Sequence, residues 1–193
     1  MDATDWDTKY AAAPLWSADP NCFVQTLADL PPGRAADLAC GQGRHAIWLA
    51  RQGWQVTGVD FSEVALGRAR EHAAESGVQV DWVRQDLLGW TGQGLDLVVI
   101  AYLHLPAAQR RQVVRQAFEA LTPGGTFFLA AHHLRNITEG TGGPKHLEVA
   151  CDERDVLADL DGLAFEVVRA ATAGRDCDGG VRAIDFVVRL VKR

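Results

Sequence analysis

A glycine-rich segment followed by a spaced acidic residue is the part of this sequence whose residue types most directly suggest chemistry. Residues 37–43 read Asp-Leu-Ala-Cys-Gly-Gln-Gly, and Asp60 lies nineteen positions after Gly41. A glycine turn between a strand and a helix allows a ligand to approach the backbone closely. A carboxylate about 20 positions later, at the end of the next strand, can hold the two hydroxyls of a ribose. Together these features predict a site for a nucleoside-type cofactor.

The residues around this turn favour a cofactor with a cationic group. A dinucleotide site usually reads Gly-x-Gly-x-x-Gly, with the diphosphate at the amino end of the helix. Here Ala46 takes the third position, which that pattern tolerates, but Asp37 lies four positions before Gly41. A carboxylate there would repel a diphosphate, whereas it suits a positively charged amino-acid tail. The pattern therefore favours S-adenosylmethionine, and an NAD-type oxidoreductase stays open as the alternative.

Strands must alternate with helices to position these residues. The strand before the turn is predicted at 34–39, and the next strand at 54–59 places Asp60 at its carboxyl end. Ser62 is a good N-cap for the helix that follows. Further strands are predicted at 78–83, 95–101 and 126–131, with a helix opened by Pro106. The segment 95–101 is almost continuously apolar, as expected of a parallel strand buried on both faces. This alternation predicts a doubly wound α/β sheet.

The carboxyl-terminal part departs from the alternation. Residues 164–171 and 181–190 both have strand patterns, and Gly179 and Gly180 lie between them. Two successive strands without a helix between them are expected to pair antiparallel. No repeat or linker interrupts the sequence, so we expect one domain over residues 1–193.

Segment 37–43 resembles the first motif of the class I S-adenosylmethionine-dependent methyltransferases. The resemblance implies a single doubly wound, mostly parallel seven-stranded sheet with an antiparallel C-terminal strand, the Rossmann-like methyltransferase fold. It also implies that an acidic residue after the third strand accepts a hydrogen bond from adenine. Asp86 matches that position and Leu87 follows it, although Asp86 could equally cap a turn.

Motif spacing and the resemblance together predict a set of cofactor-binding residues between positions 10 and 101. They are Tyr10, Trp16, Asp37, Ala39, Gly41, Gly43, Asp60, Phe61, Asp86, Leu87 and Ala101.

His104 is the candidate catalytic residue. It follows the fourth predicted strand, and ligands of open α/β sheets bind beyond the carboxyl ends of strands, where Tyr102 also lies. His104 could act as a general base, or it could be a structural histidine bonded to backbone at a helix entrance. His132 and His133 end the fifth predicted strand, but their spacing does not require a metal and none is predicted.

The amino-terminal segment is rich in aromatic residues, with Trp6, Tyr10 and Trp16 inside eleven positions. Residues 1–30 are interpreted as a helical lid that excludes water from a sulfonium cofactor, or alternatively as padding against the core. This segment is similar to the start of small bacterial methyltransferases of the tellurite-resistance type, which are related to thiopurine methyltransferases. The similarity continues through 37–45, 60–62, 121–125 and 133–136.

The segment 134–148 is glycine-rich and longer than a usual connection. It leaves the fifth predicted strand at the edge where ligands bind, so we expect it to contribute to the substrate site; a disordered surface excursion is the alternative. Arg135 and Lys145 could neutralise an anionic substrate.

Composition bounds the class of partner. The net charge is -6 and 48% of residues are hydrophobic, so neither a nucleic-acid surface nor a membrane protein is indicated. The sequence has four cysteines without a C-x-x-C pair and an acidic amino end, so we expect a cytoplasmic protein. We also expect a monomer or homodimer. The predicted activity is methyl transfer to a small molecule, such as a thiol, chalcogen oxyanion or similar soft nucleophile. A non-catalytic S-adenosylmethionine-binding protein is the second alternative.

Overall fold

Seven strands form one mixed sheet in the computed structural model, which describes residues 3–12, 19–176 and 182–193. The order across the sheet is β3-β2-β1-β4-β5-β7-β6. The strands are β1 (Arg34–Leu38), β2 (Gln55–Asp60), β3 (Asp81–Arg84), β4 (Leu95–Ala101), β5 (Leu121–His132), β6 (Phe165–Asp176) and β7 (Arg182–Lys192). The predicted seven-stranded, mostly parallel α/β fold with an antiparallel C-terminal strand is confirmed.

Helices occupy the connections between most of the strands. They are α1 (Ala3–Ala12), α2 (Cys22–Gln25), α3 (Arg44–Arg51), α4 (Glu63–Glu75), α5 (Ala107–Glu119), α6 (Asn136–Glu139) and α7 (Glu153–Asp159). Ser62 caps α4 by accepting a hydrogen bond from the backbone of Ala65, as the sequence predicted. Among the described residues, no helix combines the length and apolar character needed to cross a membrane.

The chain divides into two compact units. The first comprises Met1–Trp90 with Leu95–Val99. Within it β1 pairs in parallel with β2, and β2 with β3. Parallel pairing places the carboxyl ends of β1 and β2 side by side, so the turn after β1 lies next to Asp60, the last residue of β2.

The second unit comprises Thr91–Gly94 with Ile100–Arg193. Here β7 pairs antiparallel with both β5 and β6, as expected for two successive strands. The predicted turn at Gly179 and Gly180 lies outside the described residues. The register of β5 and β7 sets His132 opposite Asp185.

Several element bounds differ from the prediction. β5 begins at Leu121 rather than at 126, and β6 extends to Asp176 rather than to 171. β3 begins at Asp81 rather than at 78. These are strand ends, where pairing partners rather than residue propensity decide how far the ladder continues.

Candidate active site

The turn after β1 is built from residues with left-handed backbone. The φ angles are +59° at Ala39, +54° at Gly41 and +81° at Gly43, the residue that precedes α3. Only glycine adopts this region without strain, so Ala39 is held there by its surroundings. The Asp60 carboxylate accepts hydrogen bonds from the backbone of Gly41 (2.8 Å) and of Ser62 (2.9 Å). Asp60 therefore ties the glycine turn to the amino end of α4.

Asp37 is almost fully buried beneath this turn. Its Oδ2 accepts a hydrogen bond from the backbone of Ala46 at 3.1 Å, while its Oδ1 has no hydrogen-bond partner within the described part of the chain. Burial raises the pKa of the carboxyl from 3.8 to about 7, against the smaller opposing effect of the Ala46 bond. A buried carboxylate oxygen without a donor suits a cationic ligand group, because such a partner restores the lost solvation. The buried Asp37 carboxylate thus fits the positively charged amino-acid tail of S-adenosylmethionine.

Protein atoms occupy the space beside the two glycines of the motif. A Cβ on Gly41 would stand 2.6 Å from the Tyr10 hydroxyl, and one on Gly43 would stand 2.5 Å from the indole of Trp82. The sequence predicted that a ligand approaches the backbone of this turn closely. The structure instead gives Gly43 a packing role against Trp82, which sequence spacing alone did not reveal. Contact of both backbones with a cofactor stays a prediction.

The amino-terminal helix α1 is fastened to α4. Asp7 accepts hydrogen bonds from the Ser62 hydroxyl (2.5 Å) and from the backbone of Val64 (3.3 Å). Tyr10 is buried, and its ring lies 5.6 Å from that of Trp6. α1 therefore lies against α4 and, through Tyr10, beside Gly41, while its role as a lid stays a prediction. Trp16, the other aromatic residue predicted to bind the cofactor, lies outside the described residues.

The remaining predicted cofactor residues lie near strand ends. Asp86 accepts a hydrogen bond from the backbone of Leu88 at 2.9 Å and so caps a 3₁₀ helix, the role that the sequence left open beside adenine binding. Leu87 is buried and Phe61 is half-buried. Ala101 is the last residue of β4 and belongs to the second unit.

His104 lies in the second unit, after β4. Both of its ring nitrogens are buried, and neither has a hydrogen-bond partner in the described ranges. Burial, aided by the neighbouring His132, lowers its pKa to about 4. The alternative of a structural histidine bonded to backbone is therefore not supported by a hydrogen bond among the described residues. With this lowered pKa the imidazole is neutral near pH 7.

His132 and His133 point in different directions, as consecutive strand residues do. The His132 ring stacks on His104 with centroids 5.6 Å apart, whereas His133 packs edge-on against Phe186. His133 Nδ1 accepts a hydrogen bond from the backbone of Arg135. Among the described residues no group of three or more His, Cys, Asp or Glu side chains has the arrangement of a metal site.

Asp185, on β7, is a buried carboxylate that the predicted site residues did not include. It accepts hydrogen bonds from the Tyr102 hydroxyl and from Nε of Arg175, both at 2.8 Å. Its Oδ1 lies 2.9 Å from Nδ1 of His132. Burial raises the pKa of Asp185, but His132, Arg175 and Tyr102 outweigh it and hold the pKa below its usual value. The sequence signal that could have revealed this site was an acidic residue among the apolar residues of a predicted strand.

The glycine-rich segment 134–148 is partly helical rather than an irregular excursion. It contains α6 and a 3₁₀ helix at Leu147–Val149. Asn136 is buried and donates to the carbonyls of Thr141 (3.1 Å) and Gly142 (3.0 Å), while accepting from the backbone of Ile184 (2.8 Å). One side chain thus fixes the segment to β7.

Comparisons with known proteins agree with this geometry. A family model described as a methyltransferase domain matches residues 35–125. The chain is 36% identical over 106 residues to ribosomal RNA small subunit methyltransferase C of Alcanivorax borkumensis, covering 52% of this chain and 33% of that one. It is 32% identical over 130 residues to the ubiquinone biosynthesis O-methyltransferase of Xanthomonas euvesicatoria, covering 65% and 54%. The chain thus spans about a third to about half the length of these relatives.

Solved structures share the fold over nearly the whole chain. TehB of Haemophilus influenzae superposes with a TM-score of 0.75 at 14% identity, covering 97% of this chain and 67% of that one. Structures of the same fold include complexes with S-adenosylmethionine and S-adenosylhomocysteine. The matched domain, these relatives and the shared fold support a class I S-adenosylmethionine-dependent methyltransferase. The comparisons agree with the expected family and favour S-adenosylmethionine over the NAD-type alternative.

Proposed function

We propose that this protein transfers the methyl group of S-adenosylmethionine to a small-molecule acceptor. The observation that carries the proposal is the buried Asp37 carboxylate, whose Oδ1 has no hydrogen-bond partner among the described residues, beneath a left-handed glycine turn tied to Asp60. When bound, S-adenosylmethionine supplies a methyl group on a positively charged sulfur, which a nucleophile can displace. The cofactor's ammonium group would pair with Asp37, and its ribose hydroxyls would bond to Asp60.

The other residues of the first unit would complete the cofactor site. The backbones of Ala39, Gly41 and Gly43 would line the amino-acid tail, since their turn is the part of the backbone a ligand can approach. Asp86 and Leu87 would receive the adenine. Tyr10 would cover the turn and exclude water, which strengthens electrostatic contacts inside the site. Phe61, Ala101 and Trp16 remain proposed contacts by position in the sequence.

For the acceptor we propose a soft nucleophile, such as a thiol or a chalcogen oxyanion. His104 supports this choice, because a buried imidazole with a pKa near 4 is a weak base for an alcohol. A thiol, with an ordinary pKa near 8.5, needs much less help. The net charge of -6 disfavours a nucleic acid as acceptor, although one relative acts on ribosomal RNA by its name.

A hydroxyl acceptor is the second candidate. It is favoured by the likeness to an O-methyltransferase at 32% identity. Because a phenol or alcohol is a poorer nucleophile until it loses its proton, this candidate requires an effective base in the protein.

An acceptor screen tests the proposal. The protein would be incubated with S-adenosylmethionine and, separately, a thiol, a selenol, tellurite and a phenol, with S-adenosylhomocysteine formation as the readout. We expect turnover to be highest with the thiol or selenol, and His104→Ala to lose little activity with a thiol that is already ionised. A large loss in that variant with an ionised thiol contradicts the assigned role of His104. Tight S-adenosylhomocysteine binding without turnover of any acceptor would instead support a non-catalytic binding protein.

A further inference from the structure

Helix α1 is held to the rest of the first unit by little apolar surface. Within its described residues α1 buries Tyr10 alone, whereas the neighbouring α4 buries four side chains, those of Ala65, Leu66, Ala69 and Ala73. Segments with few buried apolar contacts are the ones that open locally at low cost in free energy. We therefore expect α1 to detach from the glycine turn more easily than α4 does, and its attachment to depend on polar contacts.

The polar contacts that hold α1 join it to α4. Oδ1 of Asp7 accepts a hydrogen bond from the Ser62 hydroxyl at 2.5 Å and another from the backbone of Val64 at 3.3 Å. Nη2 of Arg68 donates to the carbonyl of Ala11 at 3.4 Å. The contact between Asp7 and Ser62 is the shortest of the three, and hydrogen bonds to a charged group are stronger than those between neutral groups. Asp7 is therefore the main polar attachment of α1.

Ser62 connects this attachment to the proposed cofactor site. Its hydroxyl donates to Asp7, and its backbone N–H donates to Oδ1 of Asp60 at 2.9 Å. The other oxygen of Asp60 accepts a hydrogen bond from the backbone of Gly41 at 2.8 Å. A continuous chain of hydrogen bonds thus runs from α1 through Ser62 and Asp60 to the glycine turn. Because bonds in such a chain polarise one another, the position of α1 is coupled to the Asp60 carboxylate.

α1 also brings two of its side chains to the turn itself. A Cβ on Gly41 would lie 2.6 Å from the Tyr10 hydroxyl, so this hydroxyl lies directly against the turn. Burial raises the pKa of Asp60, and the neighbouring Asp7 carboxylate raises it further. Asp60 is only 4% exposed. With Tyr10 on the turn and Asp7 beside Asp60, α1 closes this side of the site.

We propose that Asp7 is the latch of a gate, so that the cofactor enters and leaves only when Asp7 releases Ser62 and α1 opens. The inference rests on the proposed cofactor site and goes beyond it, because it assigns the step that limits exchange of the cofactor. Asp7 is a positioning residue, since it acts through Ser62. The latch forms in the same way over the empty and the loaded site, so it slows binding and release by the same factor.

The rates of S-adenosylhomocysteine binding and release test the gate. Stopped-flow tryptophan fluorescence over a range of ligand concentrations gives both rate constants. We expect Asp7→Ala to raise both about tenfold and to leave the Kd nearly unchanged, because a hydrogen bond to a charged group no longer has to break. Asp7→Asn keeps an acceptor oxygen and should give intermediate rates. The matched control is Thr8→Ala, which should keep the wild-type rates because the Thr8 hydroxyl donates to the carbonyl of Thr4 within α1 itself.

The pattern of the two rate constants distinguishes a gate from other roles of Asp7. Faster release alone would show that Asp7 only stabilises the bound state. Faster association alone would show that α1 competes with the cofactor for the turn. Either result, or unchanged rates in Asp7→Ala, overturns the proposal.

Amide hydrogen exchange of the free protein separates the gate from the proposed cofactor site. We expect the Gly41 amide to exchange about tenfold faster in Asp7→Ala than in the wild-type protein. The Ala46 amide, which donates to Asp37 below the turn, should not change. Equal acceleration of both amides would reveal general destabilisation and overturn the proposal. If Gly41 exchange accelerates but S-adenosylhomocysteine does not bind, the cofactor assignment fails while the opening of α1 stands. If S-adenosylhomocysteine binds but neither rate constant changes in Asp7→Ala, the gate fails alone.

Discussion

Cofactor affinity should depend on pH through Asp37. The free protein holds this carboxyl with a pKa of about 7, because burial disfavours the ionised form. The ammonium group of S-adenosylhomocysteine favours the ionised form, so binding should return the pKa toward its ordinary value near 3.8. Binding between pH 6 and pH 8 should therefore release a proton, and affinity should rise as pH rises.

The magnitude follows from the ionised fraction. With a pKa of about 7, roughly one tenth of the protein carries an Asp37 carboxylate at pH 6 and roughly nine tenths at pH 8. Affinity for S-adenosylhomocysteine should thus be about tenfold weaker at pH 6 than at pH 8. The same raised pKa makes the stability of the folded protein fall as pH rises, whereas cofactor affinity rises. The folded state binds the proton more tightly than the unfolded state, so the stability it contributes is complete below pH 3.8 and is lost as pH rises through about 7.

Isothermal titration calorimetry at pH 6, 7 and 8, in two buffers with different ionisation enthalpies, measures both affinity and protons released. Asp37→Asn should bind weakly and lose the pH dependence. Asp81→Asn, which removes an exposed carboxylate of β3, should keep it. Equal affinity of the wild-type protein at pH 6 and pH 8, with no proton release, would refute the pairing of Asp37 with the cofactor's ammonium group.

Three further predictions concern the glycine turn. Asp60→Ala should weaken S-adenosylmethionine binding about ten- to a hundredfold. It should also lower the unfolding temperature, because it removes two hydrogen bonds from backbone N–H groups. Unchanged affinity by calorimetry in a folded variant would rule out the ribose contact. Gly43→Ala should destabilise the protein more than Gly77→Ala in denaturant unfolding, since both have positive φ but only Gly43 would clash, with Trp82; equal losses would contradict the packing role. Ala39→Gly should raise stability by up to about 1 kcal/mol by relieving the φ of +59°, and a lower midpoint in the same assay would show that Ala39 is not strained.

The alternation of strands and helices and the position of the glycine turn could be predicted from the sequence. Both depend on short-range features, namely apolar runs, caps and glycine positions, which act between residues near in the chain. The spacing of Gly41 and Asp60 was informative because two consecutive parallel strands place their carboxyl ends together. In the structure the two residues are indeed adjacent, since the backbone N–H of Gly41 donates a hydrogen bond to the Asp60 carboxylate.

Tertiary structure alone decided which polar residues meet. The Asp185–His132 pair depends on strand register and joins positions far apart in sequence, so neither residue type nor local spacing could reveal it. The packing of Trp82 against Gly43 likewise required the pairing of β2 with β3. The sequence therefore determined the fold class and the type of cofactor, because both can be recognised from local patterns of residues. Only the folded chain determined which imidazole lies beside a buried carboxylate, because that choice depends on contacts between distant segments.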